Sequence, residues 1–77
     1  LENFIAGNEQ ANLLLGGAGN DSMVGWTGND TLYGEDGIDS LGGGDGIDFL
    51  AGGSGSDSLY GENGADALHG EEGNDYL

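Results

Sequence analysis

Seven aspartates, Asp21, Asp30, Asp39, Asp48, Asp57, Asp66 and Asp75, stand nine residues apart, and Asn12 and Asn3 continue the series toward the N-terminus. Carboxylates can move protons or hold cations. Proton transfer of the glycosidase kind needs two carboxyl groups with separated pKa values in one cleft, and a periodic ladder makes all environments alike. The ladder therefore reads as a set of cation sites, and nothing in the chain suggests catalysis. Without cysteine and with His69 as the single imidazole, zinc and copper lack their usual donors. A phosphate-binding loop is impossible without lysine, no dinucleotide fingerprint occurs, and the twelve-residue EF-hand spacing is absent. His69 has no nucleophile or second histidine beside it and reads as a solvated surface residue.

The residues around each carboxylate keep the same beat. Gly7, Gly16, Gly25, Gly34, Gly43, Gly52, Gly61 and Gly70 precede the Asn or Asp by five, and a second glycine usually precedes it by two. An apolar side chain always follows it by two: Ile5, Leu14, Met23, Leu32, Leu41, Leu50, Leu59, Leu68 and Leu77. Each nonapeptide divides into a glycine-rich turn and a minimal three-residue strand such as Thr31-Leu32-Tyr33. Positive φ is expected at the glycines of the first and fourth positions, where a Cβ costs about 1 kcal/mol.

Strands this short cannot stand alone and must stack on copies of themselves. Two repeats make one coil of eighteen residues. Odd units then stack on odd and even on even, in two parallel sheets with the apolar row between them and about 4.8 Å from rung to rung. Helix is excluded by 19 glycines at this spacing. The carboxylates fall into two columns, Asn12, Asp30, Asp48 and Asp66 on one edge and Asn3, Asp21, Asp39, Asp57 and Asp75 on the other.

Seventy-seven residues amount to a single domain, 1–77, with a degenerate first coil over 1–15 and regular repeats over 16–77. Such a chain buries only about 60% of its unfolded surface, and no disulfide adds to that. With no Lys or Arg and 15 acidic residues, the net charge of −15 has no internal counterion. Nucleic acid and anionic membranes are excluded as partners by the same count, and no stretch is apolar enough for a membrane span. Neighbouring charges about 5 Å apart repel by roughly 3 kcal/mol at an effective dielectric near 20, so a bare ladder opposes its own stacking. Calcium suits the gap between rungs best, because it takes six to eight oxygens in flexible geometry and glycine turns expose carbonyls; magnesium is stricter. Without the ion the chain is expected to be disordered, as its charge and low hydrophobicity suggest. It begins and ends inside a repeat, which reads as a piece of a longer protein with domains on either side.

The unit G-G-x-G-x-D-x-U-x, matched in full by Gly16 to Val24, Gly43 to Ala51 and Gly52 to Tyr60, resembles the calcium-binding nonapeptide of RTX, or haemolysin-type, proteins. The resemblance implies an all-β parallel β-roll, a right-handed β-solenoid of two short-stranded parallel sheets. It implies a secreted, extracellular bacterial protein that folds on calcium after type I secretion. It also implies that each ion lies between turns eighteen residues apart, held by both aspartates, by carbonyls of the second and fourth positions of the earlier turn, and by those of the first and third of the later turn. Asp21 and Asp39 would then share an ion with the carbonyls of Gly17, Gly19, Gly34 and Asp36. Asp39 and Asp57 would use those of Glu35, Gly37, Gly52 and Ser54, and Asp57 and Asp75 those of Gly53, Gly55, Gly70 and Glu72. On the other edge, Asp30 and Asp48 would use Trp26, Gly28, Gly43 and Asp45, and Asp48 and Asp66 would use Gly44, Gly46, Gly61 and Asn63. That makes about five to six ions. Pairs that include Asn12 or Asn3 should bind weakly.

A different expectation is a constitutive β-solenoid that binds a polysaccharide or ice surface. The outward positions Ser22, Thr31, Ser40, Phe49, Ser58, Ala67 and Tyr76 form no matched threonine or aromatic array, which counts against it. Trp26, Tyr33, Phe49, Tyr60 and Tyr76 are expected outside the central row.

Overall fold

A computed structural model of the chain describes residues 4–77, so Asn3 lies outside the described residues. Eight three-residue strands follow one another: β1 Phe4–Ala6, β2 Leu13–Leu15, β3 Ser22–Val24, β4 Thr31–Tyr33, β5 Ser40–Gly42, β6 Phe49–Ala51, β7 Ser58–Tyr60 and β8 Ala67–His69. They form two four-stranded sheets, β1-β3-β5-β7 and β2-β4-β6-β8. Every pairing is parallel and offset by one coil, as in Met23 opposite Leu41 and Leu32 opposite Leu50. Ser58 bridges Tyr76 to carry the first sheet one residue further. The chain is thus a parallel β-solenoid of about four turns, and among the described residues there is no helix to cross a membrane.

Strand alternation explains why the middle residue of each triplet is apolar. It alone points between the sheets, while its neighbours point out. Met23, Leu32, Leu41, Leu50 and Leu59 are at most 1% exposed, with Ile5, Leu14 and Leu68 packed against them at the ends. Burying one such side chain contributes about 1.5–3 kcal/mol, so five of them make a thin core. Trp26, Tyr60 and Tyr76 lie exposed outside it, and Tyr33 and Phe49 stand half-buried on the outer face of the second sheet, edge to face at 5.9 Å.

The backbone ladder continues into the turns. The amide after each interior ladder residue donates to a ladder carbonyl one coil back, as in Ser40 N–H to Asp21 O and Phe49 N–H to Asp30 O, both 2.8 Å. First-position glycines donate forward, as in Gly16 N–H to Tyr33 O at 2.8 Å. Side chains tie the turn tips: Ile38 N–H donates to Asn20 Oδ1 and Ile47 N–H to Asn29 Oδ1, both at 2.8 Å.

Positive φ falls on the second and fourth positions, which corrects the expectation for the first. Gly17, Gly44 and Gly53 take φ of 81°, 86° and 91°, and the fourth-position glycines from Gly19 to Gly73 take 94–116°. Trp26, Glu35, Glu62 and Glu71 occupy the second position with φ of 68–75°, following the glycine path despite the strain on an L side chain. First-position glycines are required for a different reason, which lies in the carboxylates.

Candidate metal centre

Each aspartate of the ladder sits at the last turn position, just before the strand, where the sheet spacing brings successive members into register. Asp21, Asp30, Asp39, Asp48 and Asp57 are no more than 2% exposed, and Asp66 and Asp75 are half-buried. From Asp30 onward, one oxygen of each ladder carboxylate looks back one coil. Asp39 Oδ1 accepts the Asp21 N–H at 2.8 Å, Asp48 Oδ1 that of Asp30 at 2.7 Å, and Asp57 Oδ1 that of Asp39 at 2.8 Å. Asp66 and Asp75 do the same for Asp48 and Asp57 at 2.8 Å.

The other oxygen turns under the first-position glycine of its own repeat. A Cβ added to Gly16 would lie 2.7 Å from Asp21 Oδ2, and one on Gly25 would lie 2.5 Å from Asp30 Oδ2. No side chain fits there, so the first position is glycine in every repeat for want of space. The Oδ2 atoms of Asp30, Asp39, Asp48 and Asp57 are sealed from solvent and have no hydrogen-bond partner among the described residues. A buried anionic oxygen without a donor is strongly disfavoured, and a row of them calls for positive charge.

Backbone oxygens also crowd the stacked turns. The Trp26 carbonyl of an earlier turn abuts Gly44 of the later one, that of Glu35 abuts Gly53, and those of Gly28, Gly37, Gly46 and Gly55 abut Gly46, Gly55, Gly64 and Gly73. From the later turn, Gly34 O and Gly43 O approach Gly16 and Gly25, each 2.8 Å from where a Cβ would be. Some carbonyls already accept one bond, Trp26 O from Asp45 N–H at 2.8 Å and Ser54 O from Gly37 N–H at 3.2 Å, and each keeps a second lone pair. The donor set is therefore all oxygen, anionic at Oδ2 and neutral at the carbonyls, which fits a hard dication such as calcium. Among the described residues no three Asp, Glu or His side chains converge on one point, so most of any coordination shell must come from the backbone.

The carboxylates also carry the electrostatic cost of their packing. Burial pushes the Asp39 carboxyl up to about 6, the Asp21 amide opposing and the charges of Asp57, Asp21 and Asp36 adding to it. Burial likewise raises Asp48 and Asp57, against the amides they accept and with neighbouring ladder charges adding. A carboxyl group whose pKa is higher folded than unfolded stabilises the fold below its unfolded value and loses that contribution as pH rises through the folded one. In metal-stripped buffer the chain should therefore gain β-structure as pH falls from 7 to below 4. Circular dichroism measures this, and a signal flat across that range contradicts it.

The structure brings all seven aspartates into the two expected columns. Asn12, in the degenerate first coil, behaves differently. Its Nδ2 donates to Gln10 O at 2.5 Å, to Asn8 Oδ1 at 3.0 Å and to Asp30 Oδ1 at 3.2 Å, while its N–H reaches Asp30 Oδ1 at 2.8 Å. An amide nitrogen thus meets the carbonyl and carboxylate that a cation would meet on later rungs. Sequence reasoning expected weak binding at this pair but not the closing network. The signal was there: Asn8 and Asn12 share a spacing of four across a turn that lacks the fourth-position glycine.

A family model of the RTX calcium-binding nonapeptide repeat matches residues 4–41 and 42–77. No curated protein and no solved structure matches the chain.

Proposed function

The chain belongs to the RTX calcium-binding nonapeptide repeat family, and from that premise we propose that it is a module whose folding is driven by calcium. It is a calcium-binding repeat in a structural rather than catalytic fold. One observation carries the rest: the buried Oδ2 atoms of Asp30, Asp39, Asp48 and Asp57 have no donor among the described residues. Calcium supplies the missing positive charge when bound. The aspartates and the turn carbonyls position it, with about five ions shared along the two edges, through the pairs and carbonyls that the resemblance implies. Ligand binding to the folded state alone stabilises it by about 2.7 kcal/mol per site at 100 times the dissociation constant, so linked sites act as one switch.

The biological reading follows from the family. The module belongs to a secreted bacterial protein, crosses a type I export channel unfolded where calcium is scarce, and folds outside where calcium is plentiful. The degenerate coil over 1–15 marks its boundary toward a preceding domain, and the regular repeats over 16–77 are the working part. Calcium added to the metal-free chain should produce a cooperative gain of β-structure by circular dichroism, reversed by chelator. A solenoid equally ordered in excess chelator would overturn the proposal.

A further inference from the structure

Substitutions that break the repeat are not scattered at the first edge; they meet. Asn8 and Gln10 replace the second- and fourth-position glycines of the first turn, and Trp26 replaces the second-position glycine of the turn stacked upon it. These three, with Glu9 and Thr27, line one open cleft of about 570 Å³. Trp26 is 56% exposed in that wall and holds φ at 75°. That φ is the conformation of the second position throughout the repeat, shared with Glu35, Glu62 and Glu71, and it holds the Trp26 side chain at the turn tip. Asn8 is fixed as well, since its Oδ1 accepts from Gln10 N–H at 2.8 Å and from Asn12 Nδ2 at 3.0 Å. The side chains of Glu9, Gln10 and Thr27 make no hydrogen bond among the described residues.

We propose that this cleft binds a neutral saccharide, with a sugar ring stacked on Trp26 and its hydroxyls bonded to the side chains of Asn8, Glu9, Gln10 and Thr27. An apolar ring face beside a few amide, hydroxyl and carboxylate groups matches the two-sided chemistry of a pyranose. The absence of Lys and Arg and a charge of −15 exclude a polyanion. The site uses side chains at a turn tip, whereas the ion between Asp30 and Asp48 would use only the Trp26 carbonyl, so saccharide binding is read at saturating calcium, apart from loading of the ladder.

Trp26 is the only tryptophan, which makes its fluorescence a reporter of this cleft alone. The full chain in calcium is titrated with maltohexaose, cellohexaose, xylohexaose and chitohexaose, with hexagalacturonate as the anionic control. At least one neutral hexasaccharide should shift the emission saturably, and hexagalacturonate should not. Calorimetry at saturating calcium should show binding weakened by about tenfold or more in Trp26→Gly, and weakened measurably in Thr27→Ala with that variant's calcium-induced dichroism unchanged. Silence with all four neutral sugars, binding retained by Trp26→Gly, or a stronger response to the anionic oligomer would each overturn the proposal.

Discussion

Asp48→Asn should lower the calcium stoichiometry by two ions, whereas Asp75→Asn should lower it by one. Asp48 stands inside its column, accepting the Asp30 amide on Oδ1 and donating its own amide to Asp66 Oδ1. It therefore faces a gap on either side. Asp75 accepts from Asp57 and is the last carboxylate of its edge in this sequence. The asparagine side chain has nearly the same shape, so packing survives and the change is in charge. It also carries an amide that can turn onto turn carbonyls as that of Asn12 does onto Gln10 O. With each ion contributing about 2.7 kcal/mol at 100 times its dissociation constant, the interior change should destabilise the calcium-loaded chain by up to about 5 kcal/mol and the terminal one by about half as much. Native mass spectrometry counts the ions and urea titration at fixed calcium measures the stability. Equal losses at the two positions would mean that the rungs do not share aspartates.

Leu50→Ala should destabilise by about 2–5 kcal/mol while leaving the number of ions unchanged. Leu50 is fully buried, in register between Leu32 and Leu68 along its sheet, and belongs to a cluster of five closed side chains among the described residues. A two-layer stack this narrow, 13 Å through its thinnest dimension, has few neighbours able to collapse into the gap. Leu68→Ala, at a half-buried end of the row, should have a clearly smaller effect. Thermal unfolding at saturating calcium distinguishes the two. A drop in ion count for Leu50→Ala would show that core and edges are not separable.

Register, sheet composition and core were legible because the period does all the work. A nine-residue repeat with an apolar residue at the centre of every strand admits a single in-register stack, and the side-chain period of two sends Leu32, Leu41 and Leu50 inward. The roles of the individual glycines were less legible. Where two glycines are adjacent, as at Gly16 and Gly17, composition alone does not say which one needs positive φ and which one needs to be small. The departures held the answer: Trp26, Glu35, Glu62 and Glu71 all replace the second position, and nothing replaces the first. A strained φ is tolerable at about 1 kcal/mol, whereas a Cβ against a carboxylate oxygen and a carbonyl is not. The unpartnered Oδ2 atoms could not be read from spacing, since they follow from Oδ1 being taken by an amide one coil away. The Asn8–Asn12 network and the Trp26 cleft escaped for a related reason. Periodicity describes what repeats, and both features are made of residues that do not.

Anomalous diffraction from crystals of the chain grown in calcium tests most directly whether cations satisfy the buried carboxylates. The account predicts peaks on both edges, between the rungs of Asp39 and Asp57 and of Asp30 and Asp48 among others, each within calcium–oxygen bonding distance of an Oδ2 atom. An ordered solenoid with the same two sheets and no anomalous density between its rungs would contradict it.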